Sequence, residues 1–334
     1  MSATKEVVHK LINRDLLEYR FDKFINLKEN ITKNDLNKYD QKPPYYCHYL
    51  SWILGTWQDE TLISFFDSMI GIASKIPGWK NEKKLLTEGT FKNFYSLIWQ
   101  LQIATFLKSN SKISELKWQG GGSDFIFNIG DDKYFLECYV FFKSFITDLF
   151  LEEVFNKIDP RIKIYHQIYQ KKLSIKDEDE FYNSIFSIIN DSIAFNNKLN
   201  ELNEKHPVIL KSCEDLNLYI YLEGKDLDKY DPSVLPSGGR CVIEYATTMI
   251  NEAINNKYES NNLKFSRPNI LAINFISSYD LQTIISHTSN DGFFIDTKTN
   301  NFDNIILFNN GIDNIPNIDR ARILKGNMKI FEEE

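Results

Sequence analysis

The stretch from Gly120 to Val140 constrains the fold most, because it reads as two short strands joined by a polar turn. Both arms are rich in Phe, Ile, Tyr and Val, which favour extended backbone, and the segment Gly130–Lys133 interrupts them. One face of such a hairpin is wholly apolar, so we expect it to be a packed core surface. That face consists of Phe125, Phe127, Ile129, Tyr134, Leu136, Cys138 and Val140.

The opposite face of the hairpin carries two acids. We expect the turn to consist of Asp131 and Asp132, so that Asp124 lies opposite Tyr139. Glu137 then occupies a diagonal position on the face of Asp124, about 7–8 Å away. Two carboxylates in this arrangement can reach one divalent cation, and Mg²⁺ or Mn²⁺ suits oxygen ligands best. A slip of one residue, or a turn of odd length, would instead put the two acids on opposite faces.

The acids stand in two short motifs, Gly-Gly-Ser-Asp-Phe and Phe-Leu-Glu-Cys-Tyr, and the helical pattern Phe94–Leu107 precedes them. Over about residues 88 to 141 the chain therefore resembles the core of the PD-(D/E)XK, or restriction-endonuclease-like, superfamily. In that family a helix leads to a strand with Asp and then to a strand with Glu-x-Lys. Asp124 and Glu137 match the two acids, and Ser123 stands where proline is usual.

Two positions depart from the family's pattern. Tyr139 stands where the family has its lysine, and Gln100 stands where many members have a helix glutamate. The family's lysine helps to position the attacking water and to steady the charge on phosphorus. A phenol, with a pKa of about 10, does not supply that positive charge. Lysines that could replace it are Lys92, Lys143, Lys171 and Lys172, although a surface role is the simpler interpretation of each.

The resemblance implies a nuclease acting on DNA or RNA. Asp124, Glu137 and the backbone carbonyl of Cys138 would hold one or two Mg²⁺ (or Mn²⁺) ions. The metal would activate water for attack on a phosphodiester. Gln100 would orient a metal-bound water, and Tyr139 completes the set of expected catalytic residues. The alternative is a nuclease-derived fold that binds nucleic acid or a protein partner without cleaving, as a subunit of a restriction or phage-defence assembly.

The charge balance limits how nucleic acid could be bound. A net charge of −7 argues against a protein that coats nucleic acid by bulk electrostatics, but it leaves room for a local basic stripe. The best such stripe lies on a helix that we predict over Asp159–Leu173. Its residues Arg161, Lys163, Lys171 and Lys172 are our candidates for contacting phosphates. A solvated helix face is the alternative interpretation.

The remaining composition excludes several other classes of site. Four cysteines and five histidines are scattered, so neither a zinc site nor a disulfide framework is indicated, and no Walker pattern follows the glycine triplet. The chain has no long uncharged apolar run and no apolar signal core at its start. We therefore expect a cytoplasmic protein without membrane contact. A homo-oligomer and a complex with a protein partner are both compatible with the sequence, which does not decide the oligomeric state.

The pattern of elements predicts an α/β fold. Residues 1–85 read as a helical N-terminal region, and residues 86–334 as a restriction-endonuclease-like domain with a mixed central sheet flanked by helices. The predicted helices of that domain are Thr90–Lys108, Ser144–Lys157, Phe181–Glu204 and Val242–Asn256, and its later strands are Leu216–Leu222, Pro268–Phe275 and Asn304–Phe308.

Overall fold

A computed structural model describes residues 12–37, 49–88, 91–119, 123–141, 154–157, 159–168, 184, 187–188, 191–204, 208–212, 216–222, 250–251, 254, 269–275, 302–311, 313–316 and 321–326. The helices are α1 (Arg14–Lys23), α2 (Ile25–Asn30), α3 (Lys33–Asn37), α4 (Tyr49–Thr56), α5 (Glu60–Ala73), α6 (Trp79–Glu82), α7 (Lys84–Glu88), α8 (Phe91–Ser109) and α9 (Ser192–Glu204). The strands are β1 (Ile113–Trp118), β2 (Phe125–Ile129), β3 (Asp132–Phe141), β4 (Ile162–Ile168), β5 (Val208–Ser212), β6 (Leu216–Leu222), β7 (Asn269–Phe275), β8 (Asn304–Phe308) and β9 (Arg322–Lys325).

The larger sheet is six-stranded and mixed, with the order β1-β2-β3-β7-β8-β9. Strands β1, β2 and β3 form an antiparallel ribbon, β3, β7 and β8 run parallel, and β9 returns antiparallel. Helix α8 packs against β3 and β1. The predicted α/β class, with a mixed sheet and flanking helices, is therefore confirmed.

Two of the predicted later strands form the centre of this sheet. Every residue of β7 and of β8 is buried, as expected for parallel strands that are covered on both faces. Their near-continuous apolar sequences made them recognisable, and both predictions are confirmed. Strand β1 was not predicted. Its backbone has a bulge between Ser114 and Lys117, and Glu115 there has a φ of 51°, so the alternation of apolar residues is broken.

The hairpin of β2 and β3 exists, but its turn lies one residue earlier than predicted. Ile129 pairs with Asp132, so Gly130 and Asp131 form the two-residue turn, not Asp131 and Asp132. Gly130 has a φ of +59°, which glycine adopts without steric cost at the first central position of such a turn. Moving the turn by one residue moves the pairing by two, so the paired residues of β2 and β3 keep their predicted faces. The apolar face is buried at Phe125, Phe127, Leu136, Cys138 and Val140.

Helix α8 confirms the predicted helix Thr90–Lys108 to within one residue at each end. Trp99 anchors it to the sheet, because the indole Nε1 donates a hydrogen bond to the backbone oxygen of Ala272 at 3.1 Å. The indole ring also contacts the ring of Phe308, with 5.1 Å between centroids. Phe308 and Val140 share a face through their common register partner Asn274. Helix α8 therefore covers the apolar face of the hairpin.

The elements that precede α8 are helices wherever the structure describes them, as expected for this region. The strongest apolar helix, α5, begins after Asp59, whose side chain accepts a hydrogen bond from the backbone N–H of Thr61 at 2.7 Å. No helix in the described part of the chain combines the length and the apolar character needed to cross a bilayer.

The smaller sheet has three antiparallel strands in the order β4-β6-β5, and α9 packs against it. Strand β6 was predicted and is confirmed, whereas the helix predicted over Asp159–Leu173 is wrong, because Ile162–Ile168 is strand β4. Ile164 and Ile168 lie on one helical stripe with Leu173, but together with Ile162 they also fit a strand of period two. Pairing with β6 decides between them.

The helix predicted over Phe181–Glu204 is interrupted. Asp191 is not helical, and its Oδ1 accepts a hydrogen bond from the backbone N–H of Ala194 at 3.1 Å. Asp191 therefore begins α9 as an N-cap, since such a side chain satisfies a backbone donor of the first turn. Of the other predicted helices, Ser144–Lys157 is helical at 154–157, and Val242–Asn256 is helical at 250–251 and 254, where the structure describes them.

The chain forms two compact units, and neither is a single continuous stretch. One comprises Met1–Leu17, Asn37–Thr56 and Lys143–Gly239, and it contains the three-stranded sheet. The other comprises Glu18–Leu36, Trp57–Phe142 and Arg240–Glu334, and it contains the six-stranded sheet. A domain boundary near residue 85 stays a prediction.

Candidate functional site

Asp124 lies at the start of the central hairpin, one residue before β2. Its backbone oxygen accepts a hydrogen bond from Gln119 N–H at 3.1 Å, which extends the pairing of β1 with β2. On the other side, Phe125 pairs with Leu136, so continuing the register by one pair places Asp124 opposite Glu137. The turn predicted from sequence would place it opposite Tyr139 instead. The observed register brings the backbones of the two acids closer than the predicted one.

The carboxylate of Asp124 is held by two donors. Its Oδ2 accepts a hydrogen bond from the backbone N–H of Cys138 at 2.6 Å, and its Oδ1 accepts one from Nε2 of Gln100 at 3.0 Å. The Cys138 N–H belongs to strand β3, so the side chain takes the place of a backbone acceptor in the ladder. The carboxylate therefore lies close to the plane of the sheet, attached both to β3 and to helix α8.

Glu137 lies on β3, immediately before Cys138, and only 6% of it is exposed. Its register partner Leu271, and Ile305 beyond that, are fully buried on the same face of the sheet. Helix α8 covers the other face, so the Glu137 side chain points away from α8. A carboxylate among apolar neighbours is costly unless donors or a cation compensate its charge. The backbone of Cys138 thus connects the two acids: Glu137 precedes it, and Asp124 is bonded to it.

Gln100 occupies the middle of α8 and faces Asp124. Its amide nitrogen must point at the carboxylate, because an amide oxygen in that position would be repelled. The other atom of the carboxamide, Oε1, is buried and receives no hydrogen bond within the part of the chain that the structure describes. A buried acceptor of this kind normally has a partner, so the atom is suited to accept a hydrogen bond from a bound water.

Tyr139 lies two residues beyond Glu137 and therefore on the same face of β3. It is half-buried, and its register partner is Ile273 of β7. Tyr139 thus places a phenol next to Glu137 on β3. Among the lysines proposed as replacements, Lys92 belongs to the first turn of α8, whereas Lys143, Lys171 and Lys172 lie outside the described residues.

The oxygen atoms of Asp124, Glu137 and Cys138 are of the type that a hard divalent cation binds. They are the carboxylates of Asp124 and Glu137 and the backbone carbonyl of Cys138, which should point to the side of Asp124 because the N–H and C=O of one strand residue face the same neighbour. All are oxygens, as Mg²⁺ and Mn²⁺ prefer. Within the described ranges, no three or more His, Cys, Asp or Glu side chains gather closely enough to hold a metal.

The predicted phosphate-contacting residues belong to the other compact unit, the one with the three-stranded sheet. Arg161 is exposed, and its guanidinium is engaged by Asp159, with Nη2 2.6 Å from Oδ2 and Nε 3.0 Å from Oδ1. These side-chain hydrogen bonds, and one from the Arg161 backbone N–H, lower the pKa of Asp159 to about 2. Lys163 is half-buried on β4, opposite Tyr221 of β6. Lys171 and Lys172 lie outside the described residues.

The sequence did not reveal that Asp124 bonds to the backbone of Cys138, because a backbone donor leaves no trace in residue type. The hydrogen bond of Gln100 with Asp124 was also missed, although the position of Gln100 in the helix had made it a candidate site residue.

Comparisons of the chain with family models, with curated proteins and with solved structures find no match.

Proposed function

We propose that the chain is a divalent-metal-dependent nuclease with a restriction-endonuclease-like core, which hydrolyses phosphodiester bonds in DNA or RNA. The observation that carries the proposal is the hydrogen bond from Cys138 N–H to Asp124 Oδ2, at 2.6 Å. This bond attaches Asp124 to the residue that directly follows Glu137. Two acids that were neighbours only by chance would not need such a bond, so its presence supports a common role for Asp124 and Glu137.

The order of elements also supports the proposal. Helix α8 is followed, after β1, by β2, which Asp124 introduces, and then by β3, which carries Glu137. This is the order of helix, strand with Asp and strand with Glu that the family resemblance leads us to expect. The two strands are antiparallel neighbours in a mixed sheet, so both acids belong to one local structure.

Mg²⁺ or Mn²⁺ would be held by Asp124, Glu137 and the backbone carbonyl of Cys138. Such an ion lowers the pKa of water and stabilises the charge that develops on phosphorus. The protein's own contribution is to hold the ligands before the ion binds. The N–H of Cys138 and the amide of Gln100 orient the Asp124 carboxylate, and the strand backbone fixes Glu137.

Tyr139 limits the rate at which the proposed site could cleave a phosphodiester. Its phenol can donate one hydrogen bond to a phosphate oxygen, but it carries no positive charge at neutral pH. A lysine at this position would offset charge in the transition state, and a phenol offsets less. We therefore expect slow cleavage, unless a lysine from another part of the chain approaches the phosphate.

A second candidate function is binding without cleavage, in a restriction or phage-defence assembly. It is favoured by a specific observation: both oxygens of Asp124 already accept hydrogen bonds from protein groups. A carboxylate used in this way can have a purely structural role, namely to tie β2, β3 and α8 together. Retention of the buried Glu137 beside it favours the nuclease.

Calorimetry with Mn²⁺, followed by nicking of supercoiled plasmid and cleavage of labelled RNA, separates the two functions. We expect the wild-type chain to bind Mn²⁺ and to cleave, and we expect Asp124→Ala and Glu137→Ala to lose both properties. Asp131→Ala is the matched control, because it removes an exposed acid from the turn of the same hairpin. Cleavage that survives both substitutions would reject the site. Binding of nucleic acid without cleavage would favour the second function.

A further inference from the structure

The segment that follows β8 is held in place by amide side chains. We call this segment, residues 309–311 and 313–316, the strap. Asn274, near the end of β7, donates through Nδ2 to the backbone oxygen of Asn310 at 3.0 Å, and its Oδ1 accepts from the Asn310 N–H at 2.8 Å. The carboxamide thus pairs with the backbone of Asn310 as a neighbouring strand would. Asn274 is buried and Asn310 is only 9% exposed, so these bonds are shielded from water.

Two further amides hold the rest of the strap. Nε2 of Gln102, a fully buried residue of α8, donates to the backbone oxygens of Gly311 at 2.6 Å and of Asn314 at 2.7 Å. Nδ2 of Asn310 donates to the same two oxygens, at 3.3 Å and 2.8 Å. All these donors are uncharged carboxamide nitrogens. A carboxylate could not replace any of them, because it only accepts hydrogen bonds.

One of these amides belongs to the only Asn-Gly pair in the sequence, Asn310 and Gly311. In such a pair the backbone nitrogen of glycine can attack the side-chain Cγ of asparagine, because glycine has no side chain to obstruct the approach. A bond forms between that nitrogen and Cγ, the bond from Cγ to Nδ2 breaks, and Nδ2 leaves as ammonia with the proton of the attacking N–H. Water then opens the succinimide ring at one of its two carbonyl carbons, which leaves aspartate or isoaspartate.

The closed strap keeps Asn310 from this reaction. Asn274 fixes its backbone, and the backbone oxygen of Asn314 holds its Nδ2. These bonds must break before Cγ can approach the nitrogen of Gly311. Closure has a cost of its own, because Oε1 of Gln102 is buried and accepts no hydrogen bond from the residues that the structure describes. Opening of the strap lets water reach that oxygen, which favours the open state.

We propose that Asn310 is a site of spontaneous deamidation, that opening of the strap sets its rate, and that the product cannot close the strap again. The carboxylate formed at position 310 would face the backbone oxygens of Gly311 and Asn314, to which the amide donates. Two acceptors repel each other, and a buried charge without a donor is costly. The fraction of chains with a released strap therefore grows with the age of the protein. This inference is independent of the proposed nuclease.

The first experiment follows deamidation of the full chain at mildly alkaline pH by mass spectrometry of proteolytic peptides. Asn274→Ala removes both bonds to the backbone of Asn310, so Asn310 should deamidate about tenfold faster than in the wild type. Asn128→Ala is the matched control, since it truncates an asparagine on β2 of the same sheet, and it should leave the rate unchanged. Asn309, which is exposed and precedes a residue with a side chain, should react far more slowly.

The second experiment tests the product. Asn310→Asp imitates the deamidated chain, and the amides of the strap should exchange hydrogen faster in it than in Asn309→Asp, which makes the same change at an exposed neighbour. Equal exchange in these two variants, or an unchanged deamidation rate in Asn274→Ala, would overturn the inference.

The wild type in urea below its unfolding transition replaces Asn274→Ala if that variant does not fold. Urea favours the open strap, so the deamidation rate of Asn310 should rise with its concentration. A rate that stays constant would overturn the inference as well. Metal binding and cleavage decide the nuclease separately, and neither result changes these measurements.

Discussion

The carboxylate of Asp124 accepts a hydrogen bond from the backbone N–H of Cys138 at 2.6 Å, so a side chain just before β2 completes the ladder of β3. The same carboxylate is bonded to Gln100 of helix α8. These contacts give Asp124 a structural role that is independent of any metal. Stability and metal binding can therefore be measured separately at this residue.

Asp124→Ala should destabilise the metal-free protein by about 1–3 kcal/mol, because the buried N–H of Cys138 loses its acceptor. Asp131→Ala, which removes an exposed acid from the hairpin turn, should change the free energy of unfolding by no more than about 0.5 kcal/mol. Urea unfolding in the presence of a chelator measures both. Equal effects of the two substitutions would show that the Asp124–Cys138 bond contributes nothing to stability.

Gly78→Ala should cost more than Gly130→Ala, although both glycines have a positive φ, of +97° and +59°. An alanine Cβ at Gly130 meets no atom within 4 Å, so only backbone strain of about 1 kcal/mol is expected. At Gly78 the Cβ would overlap the backbone oxygen of Trp118, which raises the expected cost to about 3 kcal/mol. Thermal unfolding followed by circular dichroism tests this. Similar losses for the two variants would show that the close approach of Gly78 to Trp118 adds nothing to the cost.

The ion pair of Asp159 with Arg161 should stabilise the protein in a defined range of pH. The folded chain holds the pKa of Asp159 at about 2, below its ordinary value of 3.8. The unfolded chain therefore binds the proton more readily, and the stabilisation is complete above about pH 4 and disappears as the pH falls towards 2. The difference in unfolding free energy between the wild type and Asp159→Asn, measured from about pH 7 down to about pH 2.5, should shrink below about pH 4. A difference that stays constant would refute the pair's contribution.

Lys163→Ala should weaken the binding of a single-stranded oligonucleotide if the three-stranded sheet contacts phosphates. Removing one phosphate contact should reduce the slope of log affinity against log salt by about 1. Lys198→Ala is the control, because Lys198 lies on α9 of the same unit and pairs with Glu201 at 3.2 Å. Fluorescence anisotropy at several salt concentrations measures both slopes. A slope that is the same for the two variants would place the nucleic acid elsewhere.

The sequence was most informative where apolar runs are long. Helix α8 and strands β6, β7 and β8 were predicted within a residue or two, because buried segments leave little choice of residue type. The faces of the hairpin were also predicted, even though its turn was misplaced. Shifting a strand by two residues changes its partners but not the side to which each residue points.

The prediction failed where two periods fit the same residues. In β4, Ile164 and Ile168 satisfy both the strand and the helix pattern. The partner strand β6, which decides between the two, lies far along the chain. In β1, the bulge at Glu115 hides the alternation. The bond from Asp124 to Cys138 could not be predicted, because the donor is a backbone group.

Strand β3 pairs with two strands that lie at very different distances from it along the sequence, β2 and β7. The loop between β2 and β3 has two residues. The pairing of β3 with β7 brings Phe135 beside Asn269, and the connection between these two strands is the stretch 142–268. Short loops close in microseconds or less, and long-range parallel pairing is slow. The acids at the hairpin can thus come together early in folding, and hydrogen exchange during refolding should protect the amide of Cys138 before those of β7.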